Sequence, residues 1–351
     1  MKIIVPCAGR SSRFPNMPPK WMLPDYDGVP MVVKAVQGLG VPVEDIIVTV
    51  LKEHEERFNA LEGLRQAFGR EVRGVILEKS TASQSETVFE TVVRAGLDEP
   101  FMVKDSDNYF EITGLEERYN YVSVASLNDF DQINPRNKSY VQVDQEDIIV
   151  NFREKKVISD LFSVGGYYFA SPRDFIAAYT ELNKGANVAS SELYLSEVIA
   201  FMILNGHVFK ARRVSGYHDW GTVHEWRQKL EGRRVFLVSV DGFLFERGSR
   251  FFAPSFENVR PNDTALQAVR DMAARQHMII YLSIRPPELE QFTRQQLAAQ
   301  GLPSGPIVFD CRIAQWTLLT SPHASLPFAT CGSVEIDPAD PNLLEKIHLA
   351  P

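Results

Sequence analysis

Along the first 230 residues, apolar runs and amphipathic stretches follow one another in a pattern that predicts strands and helices by turns. Ile3, Ile4 and Val5 form a buried-strand run that breaks at Pro6. Met31 to Gly40 carries apolar residues at helical spacing, and Ile46 to Val50 reads as a second strand. From His54 to Phe68 apolar residues recur every three or four positions, which predicts one helix. Gly74 to Leu77 is a third strand, Glu86 opens an amphipathic helix, and Phe101 to Val103 is an apolar strand. Val141 to Phe152 alternates like a strand, and a helix capped by Ser190 or Ser191 continues through Ile203. Such alternation predicts a mostly parallel sheet with helices on its faces and ligands beyond the carboxyl ends of the strands.

After Glu231 to Arg234, a short charged linker, a new apolar strand begins at Val235. A fresh strand after a completed set predicts a second, smaller α/β domain over 233–351, following a first over 1–230. A chain of 351 residues has room for both.

Three stretches carry candidate chemistry. Cys7 to Arg13 combines small residues with two guanidinium groups directly after the first strand, and Lys20 follows in PPKWMLP, held extended by two prolines. Small side chains let backbone N–H groups approach an anion, and Arg offers a planar fork of donors to phosphate. A polar turn with ordinary surface charges is the plainer alternative. Neither GxxxxGK[ST] nor GxGxxG is present, which disfavours a P-loop hydrolase and a dinucleotide site. Second, Asp105 and Asp107 follow an apolar strand directly, and two acids at alternating spacing suit a divalent cation; an acidic turn capped by Asn108 is the alternative. Third, Gln84 and Ser85 stand at a helix start where they could hydrogen-bond a base, or where Ser83 or Ser85 merely caps the helix.

Composition narrows the class. A net charge of −8 argues against a nucleic-acid partner, which usually meets a basic surface. Cys7, Cys311 and Cys331 are odd in number and widely spaced, as reduced thiols in a cytoplasmic protein would be. The N-terminus turns polar too soon for a signal peptide, and no apolar run approaches the ~20 residues that span a bilayer. A soluble protein with no membrane partner is expected; the oligomeric state, a homo-oligomer included, stays open.

PCAGRSSRF and PKWMLP together resemble the signature of the nucleotidyltransferases that make sugar nucleotides. The SSRF ending is similar to a branch linked to capsular polysaccharide synthesis; Ser11 stands where the family usually has a second glycine. The resemblance implies a Rossmann-like (GT-A-like) mixed α/β sheet, with Ala8, Gly9, Arg10, Ser11, Ser12, Gln84 and Ser85 around the nucleotide. It implies Mg²⁺ as cofactor, held by Asp107 of SDNYF and by Asp219 of the WxDxGT-like YHDWGT, while Asp105 could share that role. Tyr217 replaces the tryptophan of that element, and His218 is assigned no chemistry. Glu154, Lys155, Gly166 and Glu192 are implied to face the acceptor. Lys156 replaces the usual proline after the Glu–Lys pair, which leaves open which lysine points inward.

The implied reaction joins a nucleoside triphosphate to a phosphate monoester, either a sugar 1-phosphate or a small phosphorylated alcohol, and releases pyrophosphate. Arg13, Lys20, Asp107 and Asp219 would carry it by positioning and charge neutralisation, with no covalent nucleophile. A GT-A-type glycosyltransferase and a non-catalytic nucleotide-binding regulator are the competing readings.

In the second domain, VFLVSVDGFL resembles the opening of haloacid-dehalogenase-type phosphatases, which read DxDG[TV]L. Ser239 stands in place of the nucleophilic acid and only Asp241 remains; Ser283 fits the phosphate-binding strand end. The final strand is expected within 312–347, with Thr320 or Ser321 in place of a metal acid. Without the nucleophile the aspartyl-phosphate route is lost, so the domain is expected to be inactive.

Overall fold

The structure, a computed structural model, describes residues 1–11, 13–115, 117–130, 133–185 and 193–312. Ser12, Ser190, Ser191, Glu192, Thr320, Ser321 and Cys331 lie outside the described residues. The chain divides into two compact units, Met1–Trp226 and Arg227–Pro351, at a point inside the helix Val223–Glu231.

The strands of the first unit are β1 (Lys2–Pro6), β2 (Ile46–Leu51), β3 (Arg73–Leu77), β4 (Phe101–Lys104), β5 (Asn108–Glu111), β6 (Asn120–Ser126), β7 (Ser139–Val143), β8 (Ile149–Glu154), β9 (Leu161–Phe169), β10 (Phe209–Arg213) and β11 (Ser215–Asp219). The main sheet runs β10-β6-β9-β4-β1-β2-β3, with the β7–β8 hairpin attached to β9; β5 and β11 form a separate pair. Ile3, Ile4 and Val5 at its centre are fully buried, each contributing about 1.5–3 kcal/mol. β2 and β4 are buried along their whole length, as strands covered on both faces must be, which explains why they are apolar except at Thr49 and Lys104.

The sheet is mixed, as the resemblance implies: β9 runs antiparallel to both β4 and β6, while the β10–β6, β4–β1, β1–β2 and β2–β3 pairs are parallel. Three expectations change. The helix expected over His54 to Phe68 is two, Lys52–Phe58 and Ala60–Phe68, parted at Asn59. Asn59 has φ 50°, a left-handed backbone that asparagine tolerates through its short polar side chain. The strand expected over Val141 to Phe152 is the β7–β8 hairpin, where the Asp144 N–H donates to the Ile148 carbonyl at 3.0 Å and Asp147 has φ 59°. The helix expected from Ser190 is Leu195–Leu204, closed at its start by the Tyr194 N–H donating to Glu197 Oε2 at 2.9 Å.

Among its described residues the second unit has three parallel strands in the order β12 (Val235–Ser239), β13 (Met278–Leu282) and β14 (Ile307–Val308), with helices Asp263–Ala274 and Glu290–Ala299. Val240, Leu244, Leu266, Val269 and Tyr281 fill its core. Among the described residues no helix is long and apolar enough to cross a membrane.

Candidate functional site

Strand order decides which residues meet. β1 and β4 are parallel neighbours, so the segments leaving their carboxyl ends, 7–20 and 105–107, emerge at one edge of the sheet. β11 pairs antiparallel with β5, Asp219 opposite Asn108, and the Trp220 N–H donates to the Asp107 carbonyl at 2.8 Å. That pairing brings Asp219 beside Asp107 from far along the chain. The result is a cavity of about 580 Å³ whose wall includes Gly9, Arg10, Ser11, Arg13, Lys20, Gln84, Asp105, Asp107, Lys138, Glu154 and Asp219.

Lys20 opens a 3₁₀ turn, and its backbone N–H donates to Ser11 Oγ at 3.0 Å, which fixes the PPK segment against the first loop. Its ammonium meets Asp107 Oδ2 at 2.5 Å. Burial opposes both charges, but each outweighs that cost for the other: the Lys20 pKa lies above its ordinary value and that of Asp107 below. Asp219 is paired in the same way with the Lys138 ammonium, which also donates to the Tyr217 hydroxyl at 2.8 Å.

The two carboxylates fit Mg²⁺. A β-carbon on Gly221 would stand 3.2 Å from Asp219 Oδ1, 3.3 Å from Asp107 Oδ2 and 3.8 Å from Arg13 Nη1, so both acids face one point that the glycine leaves open. Among the described residues no group of three or more potential ligands forms. Two hard oxygen donors are what Mg²⁺ takes from protein when phosphate oxygens and water complete its shell.

Asp105 is held differently. Gln84 Nε2 donates to its Oδ1 at 2.5 Å, and burial together with the Asp107 charge pushes its pKa up. Behind it the fully buried Lys104 ammonium donates to the Asp105 carbonyl at 2.8 Å and the Asn108 carbonyl at 2.9 Å, and also to Asn108 Oδ1. Burial pulls the Lys104 pKa down, opposed by the charges of Asp105, Asp107 and Asp219. Lys104 thus ties the turn that carries both acids to the end of β4.

Four expected site residues stand off the cavity wall. Ala8 is buried against Ile47, Leu51 and Val75. Ser85 donates its hydroxyl to the Leu193 carbonyl at 2.6 Å, and Ser83 is the helix cap, accepting from the Glu86 N–H. Gly166 packs into the interior: a β-carbon there would meet Ser123 Oγ at 2.6 Å and Phe110 Cζ at 2.7 Å. Gly165 lines the cavity instead, because successive strand residues face opposite sides. Lys155 has φ 51°, and its ammonium donates to the Tyr194 hydroxyl at 2.6 Å. Glu154 does line the cavity, accepting from the Ser139 and Ser196 hydroxyls. Sequence reasoning missed Lys138 and Lys104. Lys104 left a trace, a cation closing an otherwise apolar strand; Lys138 in RNKSY left none that separates it from a solvated charge.

No protein-family model matches the chain, and no curated protein does. Among solved structures, a nucleoside-diphosphate-sugar pyrophosphorylase from Vibrio cholerae RC9 is similar at 22% identity and TM-score 0.55, over 65% of this chain and 99% of that one. The inositol-1-phosphate CTP transferase from T. maritima is similar at 17% identity and TM-score 0.52, over 64% of this chain and 90% of that one. The likeness is one of fold: the chain contains the mixed α/β fold of these nucleotidyltransferases.

Proposed function

We propose that the first unit is a nucleotidyltransferase, which joins a nucleoside triphosphate to a phosphate monoester and releases pyrophosphate. The observation that carries this reading is the convergence of Arg13, Lys20, Asp107 and Asp219 on one cavity, on a fold shared with pyrophosphorylases and a CTP transferase. An oxygen of the acceptor phosphate attacks the α-phosphorus; the new P–O bond forms as the bond to the β-phosphate oxygen breaks. Such a step needs alignment and neutralised charge more than proton transfer. The loop at Gly9 to Arg13 and the Arg13 guanidinium hold the β- and γ-phosphates. Lys20, kept charged by Asp107, reaches the α-phosphate. Asp107 and Asp219 would hold Mg²⁺, whose chemistry when bound is to draw charge from the α-phosphate oxygens. Gln84, beside Asp105, is positioned for the base, and Glu154 for acceptor hydroxyls or a polar head group. A sugar 1-phosphate or a small phosphorylated alcohol fits this wall, and the SSRF signature favours a product used in surface polysaccharide synthesis.

The test is Mg²⁺-dependent pyrophosphate release across the common triphosphates and a panel of phosphate monoesters. Release with at least one pair is the expected result. Hydrolysis of a nucleotide-sugar without pyrophosphate would move the protein to the glycosyltransferases, and binding with no turnover of any pair would make it a regulator.

We propose further that the second unit is a phosphatase-like fold without phosphatase chemistry. Asp241 is buried: its Oδ1 accepts from Arg285 Nε at 2.8 Å, and its Oδ2 from the Ser283 hydroxyl at 2.7 Å and the Ile284 N–H at 3.1 Å. A carboxylate so engaged is held in place by three donors, one of them the buried Arg285 guanidinium, which favours the ionised form over one that carries a proton for a leaving group. Ser239 donates its hydroxyl to the Asp241 carbonyl at 3.0 Å. The full chain should release no phosphate above background from a monoester panel with Mg²⁺; release that disappears in Asp241→Asn would overturn this reading.

A further inference from the structure

Lys138 is the cavity's unexplained cation. Its side chain is only 10% exposed, yet it forms part of the cavity wall. The ammonium is tethered on two sides, to Asp219 Oδ2 and to the Tyr217 hydroxyl, and stands over the rings of Tyr217 and Phe162 at 5.3 and 5.8 Å from their centroids. Asp219 Oδ1 is turned the other way, accepting the Gly221 N–H at 3.0 Å and facing the point it shares with Asp107. The lysine therefore grips Asp219 on Oδ2, leaving Oδ1 toward Gly221 and the point shared with Asp107.

An ammonium has three donors. Two of them are engaged, and among the described residues the third has no partner. Its neighbours place it at the acceptor end: Ser139, the next residue, bonds Glu154, and the Lys138 carbonyl accepts the Lys155 N–H at 3.0 Å. The departure at Tyr217 now has a physical role. A tryptophan, which offers only an N–H donor, could not accept from the lysine. Lys155, whose resemblance-derived place was at the sugar phosphate, spends its ammonium on Tyr194 instead.

We propose that Lys138 binds the phosphate of the acceptor through its third N–H, while Asp219 and Tyr217 hold the ammonium in place. This rests on the nucleotidyl-transfer reading, and it makes the attacking group a phosphate dianion seated between Lys20 and Lys138. Lys138 is then a catalytic residue in contact with substrate, and Tyr217 a positioning residue.

The test measures two equilibria on the full chain with Mg²⁺: binding of pyrophosphate, then binding of inorganic phosphate to the pyrophosphate-saturated protein. Lys138→Met is expected to weaken phosphate binding at least tenfold and to leave pyrophosphate binding within about threefold. Lys138→Arg should keep both, and Arg13→Met should weaken pyrophosphate binding first. Tyr217→Phe, which retains the lysine charge, should weaken phosphate binding about three- to tenfold with pyrophosphate unchanged, and it decides the matter if the methionine variant does not fold. Equal losses in both equilibria, or none in phosphate, would overturn the role of Lys138. If wild-type protein turns over triphosphate yet Lys138→Met binds phosphate normally, only this inference fails; if it binds no pyrophosphate, the reading beneath it fails too.

Discussion

Asp107→Asn is expected to slow pyrophosphate release by roughly 10³-fold, about 4 kcal/mol of barrier. The substitution keeps shape and removes charge. Asp107 supplies half of the carboxylate pair facing the open point at Gly221, and an amide oxygen holds a divalent cation far less firmly. It also supplies the charge that sustains Lys20 against burial, so in the proposed reaction the variant weakens two contacts to the α-phosphate at once. The loss should fall mainly on kcat, and the Mg²⁺ concentration for half-maximal rate should rise. Fold should be preserved, since the Asp107 carbonyl still accepts the Trp220 N–H. A rate within tenfold of wild type, measured at saturating Mg²⁺, would remove Asp107 from the reaction.

Gly165→Ala is expected to destabilise the main sheet by about 3–5 kcal/mol. Two effects add. Gly165 has φ 78°, where an L side chain is strained, and its β-carbon would stand 2.2 Å from Asp105 Oδ2 and 2.6 Å from Asn108 Nδ2. Neither neighbour can retreat easily: Asp105 is bound to Gln84, its N–H donates to the Gly165 carbonyl at 2.8 Å, and Asn108 receives Lys104. Hydrogen exchange of the β4 and β9 amides measures this locally, without assuming that the two units unfold together. Protection unchanged to within about 1 kcal/mol would mean that the contact is not a packed one.

How much of the site was legible depended on the range of the interaction involved. The first strand, the loop after it and the acids after β4 could be read because each is a local pattern. Where Ser83 or Ser85 could cap the same helix, the choice fell to Ser83, and the Leu193 carbonyl claimed Ser85. Gly165 and Gly166 are adjacent and identical in sequence, yet one faces the cavity and the other the core, because the β4–β9 register sets the face. Lys155 matched the family pair, but the left-handed turn at its α-carbon sent its ammonium to Tyr194.

By itself the sequence determined the first strands, the loop after β1 and the supply of cations and acids, because apolar spacing and turn residues act over a few neighbours. The tertiary structure decided the direction of β9, the meeting of Asp107 with Asp219 through β5 and β11, and the entry of Lys138 into the site. Strand pairing is long-range, and it decides which charges, distant in sequence, meet at one cavity.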